Sequence, residues 1–557
     1  MTITMRRGLV SLLLALSATA CLGCKPEVLV EGARLHSANG MAFDAAGQLH
    51  VASILASEIV QLNPQNGQVL GRVGRAEGVD GPDDITFGPD GSLYWTALAA
   101  GEVGRRTPTG VTTRQRVAPG VTTTQKVAPG VNPIAFSADG RLFVALAFLG
   151  DALYELDPAL VAPPRLIAQN FGFLNGMSFG PDGRLYAPVF TQGRVVSIDV
   201  DSCAGAIDPD AECDVRTVAS GFFLPAAVKF DAAGRLHVVD QSGEVFRVNL
   251  ATGQKKVVVT LAPGLDNLAF DSRFGRLFVS SANDGFVVRV PAEGSVKTLS
   301  PGGMVAPGGL ALLGPADAEA LYVADVFTMR VFDPQRREQI DQIIPFAGQT
   351  PQTTPTNVAA DGANLIVSSW FGNAVQVWGP SGQVLESYGD FAIPNAALRF
   401  EGDLVVAEVG FGPGAARVVR QTAAGLVALA EGIGLPAGLA ASGGDLWFSD
   451  WSAGAIYQLV DDGAVLSSPS LVAAGLDRPE GLAVAHDGTL LVVESGAGRL
   501  SRVDPATGTV TTLAEGLATG LPAITGLPAS YILSGVVQDA VGDIYVSGDL
   551  DNVIYRL

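Results

Sequence analysis

Positive charge is scarce in this sequence: 35 Lys and Arg stand against 55 Asp and Glu, a formal net charge of −20. That balance opposes nucleic-acid phosphate and is repelled by anionic lipid, so neither is an expected partner. No H-E-x-x-H pair or Walker loop occurs, which removes the commonest zinc and nucleotide arrangements. Beyond the N-terminus no apolar stretch reaches the roughly 18 to 20 residues a membrane-spanning helix needs. Long amphipathic runs with helical spacing are missing too, which disfavours a helical body.

Turn and strand formers are abundant. Gly at 68, Pro at 33, 48% hydrophobic and only 16% charged residues describe a turn-rich, strand-rich chain of all-β class. Its 557 residues exceed what one hydrophobic core organises, so several domains or a repeat array are expected.

The N-terminus reads as a secretory signal peptide over residues 1–20: Arg6 and Arg7, an apolar run from Leu9 to Leu16, then Ser17, Ala18, Thr19 and Ala20 before Cys21. Ala18-Thr19-Ala20-Cys21 has the form of a lipobox, with Cys24 as a competing register and ordinary Ala-x-Ala cleavage as the plain alternative. Lipidation at Cys21 would leave residues 21–26 as a tether to the membrane. The body would then face an oxidising compartment, the periplasm or the cell exterior. Only Cys203 and Cys213 remain for that body, and a loop-closing disulfide between them is expected. The acids around them, Asp201, Asp208, Asp210, Glu212 and Asp214, lack EF-hand spacing and read as a solvated loop.

The body is built from one recurring unit: NGMAFDAAGQLHVAS from Asn39, DDITFGPDGSLYWTA from Asp83, NPIAFSADGRLFVAL from Asn132 and NGMSFGPDGRLYAPV from Asn175. The apolar residue opening each second strand is Leu49, Leu93, Leu142, Leu185, Leu236, Leu277, Leu321, Leu365, Leu404, Leu446, Leu490 and Ile544, spaced about 44 residues apart. Turns such as Pro89-Asp90-Gly91 supply the positive φ of a tight hairpin. Short strands at this period predict twelve four-stranded β-propeller blades, divided most economically as two six-bladed rings over residues 27–292 and 293–557. The last repeat stops one strand short. Glu27-Val28-Leu29-Val30 is expected to close the sixth blade, and Ser295 to Leu299 the twelfth.

The pattern (N)-G-x-x-F-x-P-D-G-x-L-Y-V, over nearly all of the mature chain, resembles NHL-repeat proteins and the senescence-marker-protein/gluconolactonase (regucalcin-like) superfamily. The stretch from Gly81 to Gly110 also resembles streptogramin lyase repeats. The lyase resemblance would imply a His-and-Glu catalytic set, but His50 and His237 fill aromatic slots of strands, His486 sits in a turn and His36 precedes the first inner strand. The regucalcin-like resemblance implies a Ca²⁺-like divalent cation on the ring axis, held by side-chain oxygens four residues before each inner-strand Phe. In the first ring those positions are Asn39, Asp83, Asn132, Asn175, Ala226 and Asp266, of which all but Ala226 are oxygen donors. If Asn132 and Asn175 align with the family's two asparagines, Asn39 stands in the Glu slot and Ala226 in the Asp slot. Asn and Asp also cap turns, which accounts for the same residues without a metal. In the second ring the positions are Gly308, Thr356, Asn395, Ala437, Glu480 and Ser534, with Glu480 the one carboxylate.

Two functions follow as expectations. One is a binding module anchored in the envelope, presenting loops to a protein, a glycan or a small neutral or lactone ligand, with a divalent cation on the first axis. The other is a metal-dependent hydrolase of the lactonase class with Asp83 or Asp266 as proton acceptor.

Overall fold

A computed structural model describes residues 26–117, 130–147, 150–271, 273–291 and 294–557. The signal-like segment with Cys21, and most of the tether, lie outside the described residues. The chain forms twelve antiparallel four-stranded sheets, numbered here in chain order by their innermost strands. In sheet one, Met41–Phe43, Leu49–Ser53, Glu58–Leu62 and Val69–Val73 follow one another as hairpins. Each sequence anchor from Leu49 to Ile544 lies in the second strand of its sheet, a strand buried almost throughout. The fourth strands lie at the sheet edges and are the most exposed, as in Val69–Val73 and Glu338–Ile343.

One expectation is corrected. Glu27–Glu31 pairs with Val553–Arg556, so the N-terminal strand completes sheet twelve and not sheet six. Lys297–Ser300 pairs with Val287–Val290 and is the fourth strand of sheet six, so it does not close sheet twelve. A cut between residues 292 and 293 therefore passes between the third and fourth strands of sheet six. The physical reason is local. Sheet six takes its fourth strand, Lys297–Ser300, from the next stretch of its own repeat, while sheet twelve takes its outermost strand from Glu27–Glu31.

The sheets pack face to face in cyclic order. In sheets one to six the Phe near the end of the inner strand meets an aromatic ring from the second strand of the preceding sheet: His50 with Phe87, Tyr94 with Phe136, Phe143 with Phe179, Tyr186 with Phe230 and His237 with Phe270, at 4.9 to 5.2 Å between centroids. Phe278 of sheet six meets Phe43 of sheet one at 5.1 Å, which returns the cycle to its start. Each such pair contributes about 0.5–1.5 kcal/mol beyond the area it buries. His50 and His237 are thus packing residues. Burial lowers the pKa of both and favours the neutral ring. In the second half the inner strands of neighbouring sheets also touch in order, and Val536–Gln538 of sheet twelve meets Leu310–Leu313 of sheet seven.

The two halves share buried clusters. Ala33, Leu55 and Ala99 from the first half pack with Val305, Leu521 and Tyr531 from the second. Polar links cross the same junction: Tyr531 Oη donates to the Leu55 carbonyl at 2.8 Å, and Thr525 N donates to Asp80 Oδ2 at 3.2 Å. Tyr531→Phe keeps the ring but strands a buried carbonyl. It is expected to cost about 1–2 kcal/mol in urea unfolding, and no loss would mean the bond carries nothing. Cys203 and Cys213 are joined as a disulfide that closes the acidic loop, which also holds a short helix, Pro209–Glu212.

Candidate functional site

The inner strands of sheets two, three, five and six each begin with a register shift: between Pro82 and Ile85, Val131 and Ile134, Pro225 and Ala227, and Leu265 and Leu268. Such irregularities re-aim side chains that regular pairing would direct to opposite faces. In sheets two and six the shifted residues are Asp83-Asp84 and Asp266-Asn267, so two consecutive polar side chains enter the site from each. Sheet one contributes Asn39 followed by Gly40. A Cβ at Gly40 would lie 2.6 Å from both the Cα and Oδ1 of Asp84, so this glycine is required by the close approach of sheet two.

Hydrogen bonds tie these elements together. Asn39 Nδ2 donates to Asp83 Oδ1 at 3.1 Å, while Ser37 Oγ donates to Asn39 Oδ1 at 2.8 Å. Asp84 accepts from Ile85 N at 3.0 Å, Ile134 N at 3.2 Å and, across the cycle, Asn267 Nδ2 at 3.2 Å. Asn39, Asp83, Asp84 and Asn267 are all buried, and Asp266 is half-buried.

Three carboxyl groups therefore share a small, poorly solvated volume. Burial, then the charge of Asp84, pushes Asp83 up to about 7, against the Asn39 bond that favours its anion. Burial also raises Asp84, opposed first by the positive charge of Lys229 and then by its backbone amides and Asn267. Asp266 is raised well above the usual carboxylate range by burial and by both neighbours. Close carboxyls that cannot all ionise hold protons at neutral pH.

Asn39, Asp83 and Asp266 are thus brought together. Asn175 is not joined to them by a hydrogen bond: its Oδ1 accepts from the adjacent Gly176 N at 2.9 Å, the turn-capping use of asparagine. Asn132 is buried at the head of sheet three's inner strand, and Ala226 brings no donor. Sequence reasoning overlooked Asp84 and Asn267 because it took one position per repeat. The doublets at 83–84 and 266–267 were the available signal.

Among the described residues no group of three or more His, Cys, Asp or Glu is placed to hold a metal ion. The amide oxygens of Asn39 and Asn175 each accept a hydrogen bond, from Ser37 Oγ and Gly176 N.

The equivalent end of the second half is covered by its own chain. Glu480 is buried, accepts from Ser534 N at 2.8 Å and is pushed up to about 8 by burial and by Asp549, which itself rises to about 6. Asn395 Nδ2 donates to Ser530 Oγ at 3.1 Å and Trp370 Nε1 to the Tyr531 carbonyl at 2.5 Å, which seats residues 530–531 across sheets eight and nine. The chain positions matching Asp84 and Asn267 hold Gly309, Asn357, Ala396, Gly438, Gly481 and Gly535, so one amide, Asn357, stands where the first half has a carboxyl and an amide. A Cβ at Gly535 would lie 2.7 Å from Leu310 N, so backbone crowds that position.

No family model matches the sequence, and no curated protein matches it. Among solved structures, the chain is similar to a streptogramin B lyase at 13% identity, over 54% of this chain and 94% of that one, with a TM-score of 0.38. It is similar to a catalytically inactive virginiamycin B lyase from Staphylococcus aureus with quinupristin, at 14% identity, over 54% and 94%, with a TM-score of 0.36. It is also similar to a gluconolactonase from Xanthomonas campestris at 17% identity, over 48% and 90%, with a TM-score of 0.35.

Proposed function

We propose that the protein is a binding module of two six-bladed propellers, and that the first takes a positively charged, hydrogen-bonding group on Asp83, Asp84 and Asp266. The closed aromatic cycle from Phe43 to Phe278 supports the ring of six. The observation that carries the ligand reading is the carboxyl cluster: three acids with raised proton affinity and, around them, only the charge of Lys229 to offset Asp84. An ammonium or guanidinium group suits them because it satisfies carboxylates one hydrogen bond at a time, without the closed oxygen shell a calcium ion needs. The signal-like N-terminus with Cys21 supports export and lipid anchoring, which would present this site to envelope ligands.

Calorimetric titration of the mature protein tests the reading. Butylammonium is expected to bind at pH 7 with proton release, weakened at least about tenfold by Asp266→Asn. Binding of Ca²⁺ in place of butylammonium would restore the metal reading, and binding of neither would end the cation reading.

A second reading, hydrolysis of a lactone with Asp83 as proton acceptor, is favoured by one observation: a carboxyl poised at about 7 is matched to proton transfer at neutral pH. Turnover across a lactone panel that Asp83→Asn abolishes would select it over the binding module.

A further inference from the structure

The inner strands of the first half enclose a second cavity, of about 390 Å³, beyond the carboxyl layer. Its wall is formed by the strand residues that follow Asp84 and Asn267 toward the hairpin turns, among them Ala42, Thr86, Ala135, Ser178 and Ala269. Lys229 is the one charged side chain among them. It lies on Pro225–Phe230 of sheet five, next to the terminal Phe, and its Nζ reaches Met177 O of sheet four at 3.3 Å. Met177 is one position nearer the carboxyl layer, so the half-buried ammonium is drawn toward that layer.

Lys229 forms no ion pair within 4.0 Å among the described residues, and Asp84, the acid whose charge it feels, is occupied by two backbone amides and Asn267. An ammonium has three protons to donate, and one is used on Met177. The other two remain for the cavity, where the Thr86 and Ser178 hydroxyls add further polar contacts beside alanine methyls. The matching cavity of the second half, about 340 Å³, is lined by glycine, alanine and aliphatic side chains with Glu319, Asn357, Ser534 and Gln538, and has no Lys or Arg. A cationic side chain is therefore particular to the first of these two cavities.

We infer that this cavity binds the carboxylate of a small aliphatic acid, with Lys229 as its charged partner and the Thr86 hydroxyl as a further donor. The carboxylate supplies the close anion that Lys229 lacks, and the alanine wall accepts a short apolar tail that inorganic phosphate does not have. The site is separate from the cation site proposed above and does not rest on it.

Saturation-transfer NMR and calorimetry with butyrate test this on the full mature chain, with inorganic phosphate as the comparison probe. One butyrate per chain is expected, weakened at least about tenfold by Lys229→Met and largely restored in Lys229→Arg. Should Lys229→Met fail to fold, the variant Thr86→Val keeps the charge and is expected to weaken butyrate several-fold at an unchanged melting temperature. Butyrate binding unaffected by these changes, absence of butyrate binding, or binding of phosphate alone would each overturn the inference.

Discussion

Arg330→Ala is expected to lower the unfolding free energy by about 3–5 kcal/mol at pH 7.5, one of the two largest effects anticipated for a single substitution here. Arg330 lies in the third strand of sheet seven with its side chain 2% exposed, and it joins the two halves. Its Nε donates to Asp325 Oδ2 at 2.6 Å, and Nη2 donates across the junction to the Asn283 carbonyl at 2.8 Å and Asp284 Oδ1 at 2.9 Å. Asp325 is itself fully buried and accepts from Val305 N and Ala306 N, which position the segment entering sheet seven. The loss is large because truncating one partner leaves a desolvated charge behind, not because the intact pair contributes that much.

The same geometry gives the pH dependence. Burial pushes Asp325 up to about 6 even with Arg330 beside it. Without Arg330 its proton affinity rises further, so the penalty should be greatest above pH 6 and shrink toward pH 5, where Asp325 can fold protonated. Arg330→Lys should fall between wild type and alanine, since it keeps the charge and loses the planar fork. Urea unfolding at pH 5 and 7.5 measures this, and a pH-independent loss below 1 kcal/mol would place the residue among exposed pairs.

Asp83→Asn is expected to act in the opposite direction, stabilising the protein by roughly 2–4 kcal/mol at pH 8 and by almost nothing near pH 4. The sign follows from proton linkage. The folded-state pKa of Asp83, about 7, lies above its unfolded value, so the folded protein retains a proton that the unfolded chain releases. Its favourable contribution is complete at low pH and is lost as pH rises through about 7. Asparagine is close in shape, keeps an oxygen to accept from Asn39, and never has to ionise. Removing this charge also eases the ionisation of Asp84 and Asp266. Glu480, at about 8, and Asp549, at about 6, carry the same sign, so the wild type should itself weaken as pH rises from about 4, the unfolded carboxyl value, to about 8. Unfolding curves of both proteins at pH 4, 6 and 8 check the prediction. A difference that does not change with pH would mean that Asp83 is ionised throughout.

The gain in stability would probe function as well. A site that holds uncompensated acids at a cost to folding is arranged for something other than stability. If Asp83→Asn stabilises the fold and abolishes butylammonium binding together, the cluster is a ligand site held against its own repulsion.

Much of the architecture was legible along the chain. The repeat from Asn39 onward, with glycine turns and an apolar residue opening each second strand, specified twelve hairpin-linked sheets, because strand pairing between neighbours in sequence is a local matter of alternation and turn chemistry. The same repeat located Asn39, Asp83 and Asp266, and assigned His50 and His237 to aromatic slots. Tertiary structure alone decided three things. It decided which open sheet receives Glu27–Glu31, since both ends of the chain must meet before that pairing exists. It decided that Asp84 and Asn267 join the carboxyl site, because a register shift presents two consecutive side chains where regular alternation presents one. And it decided that Asn175 turns to its own backbone while Lys229 lies inside the ring, since a side chain's partner depends on distances around a closed circle that no local spacing encodes.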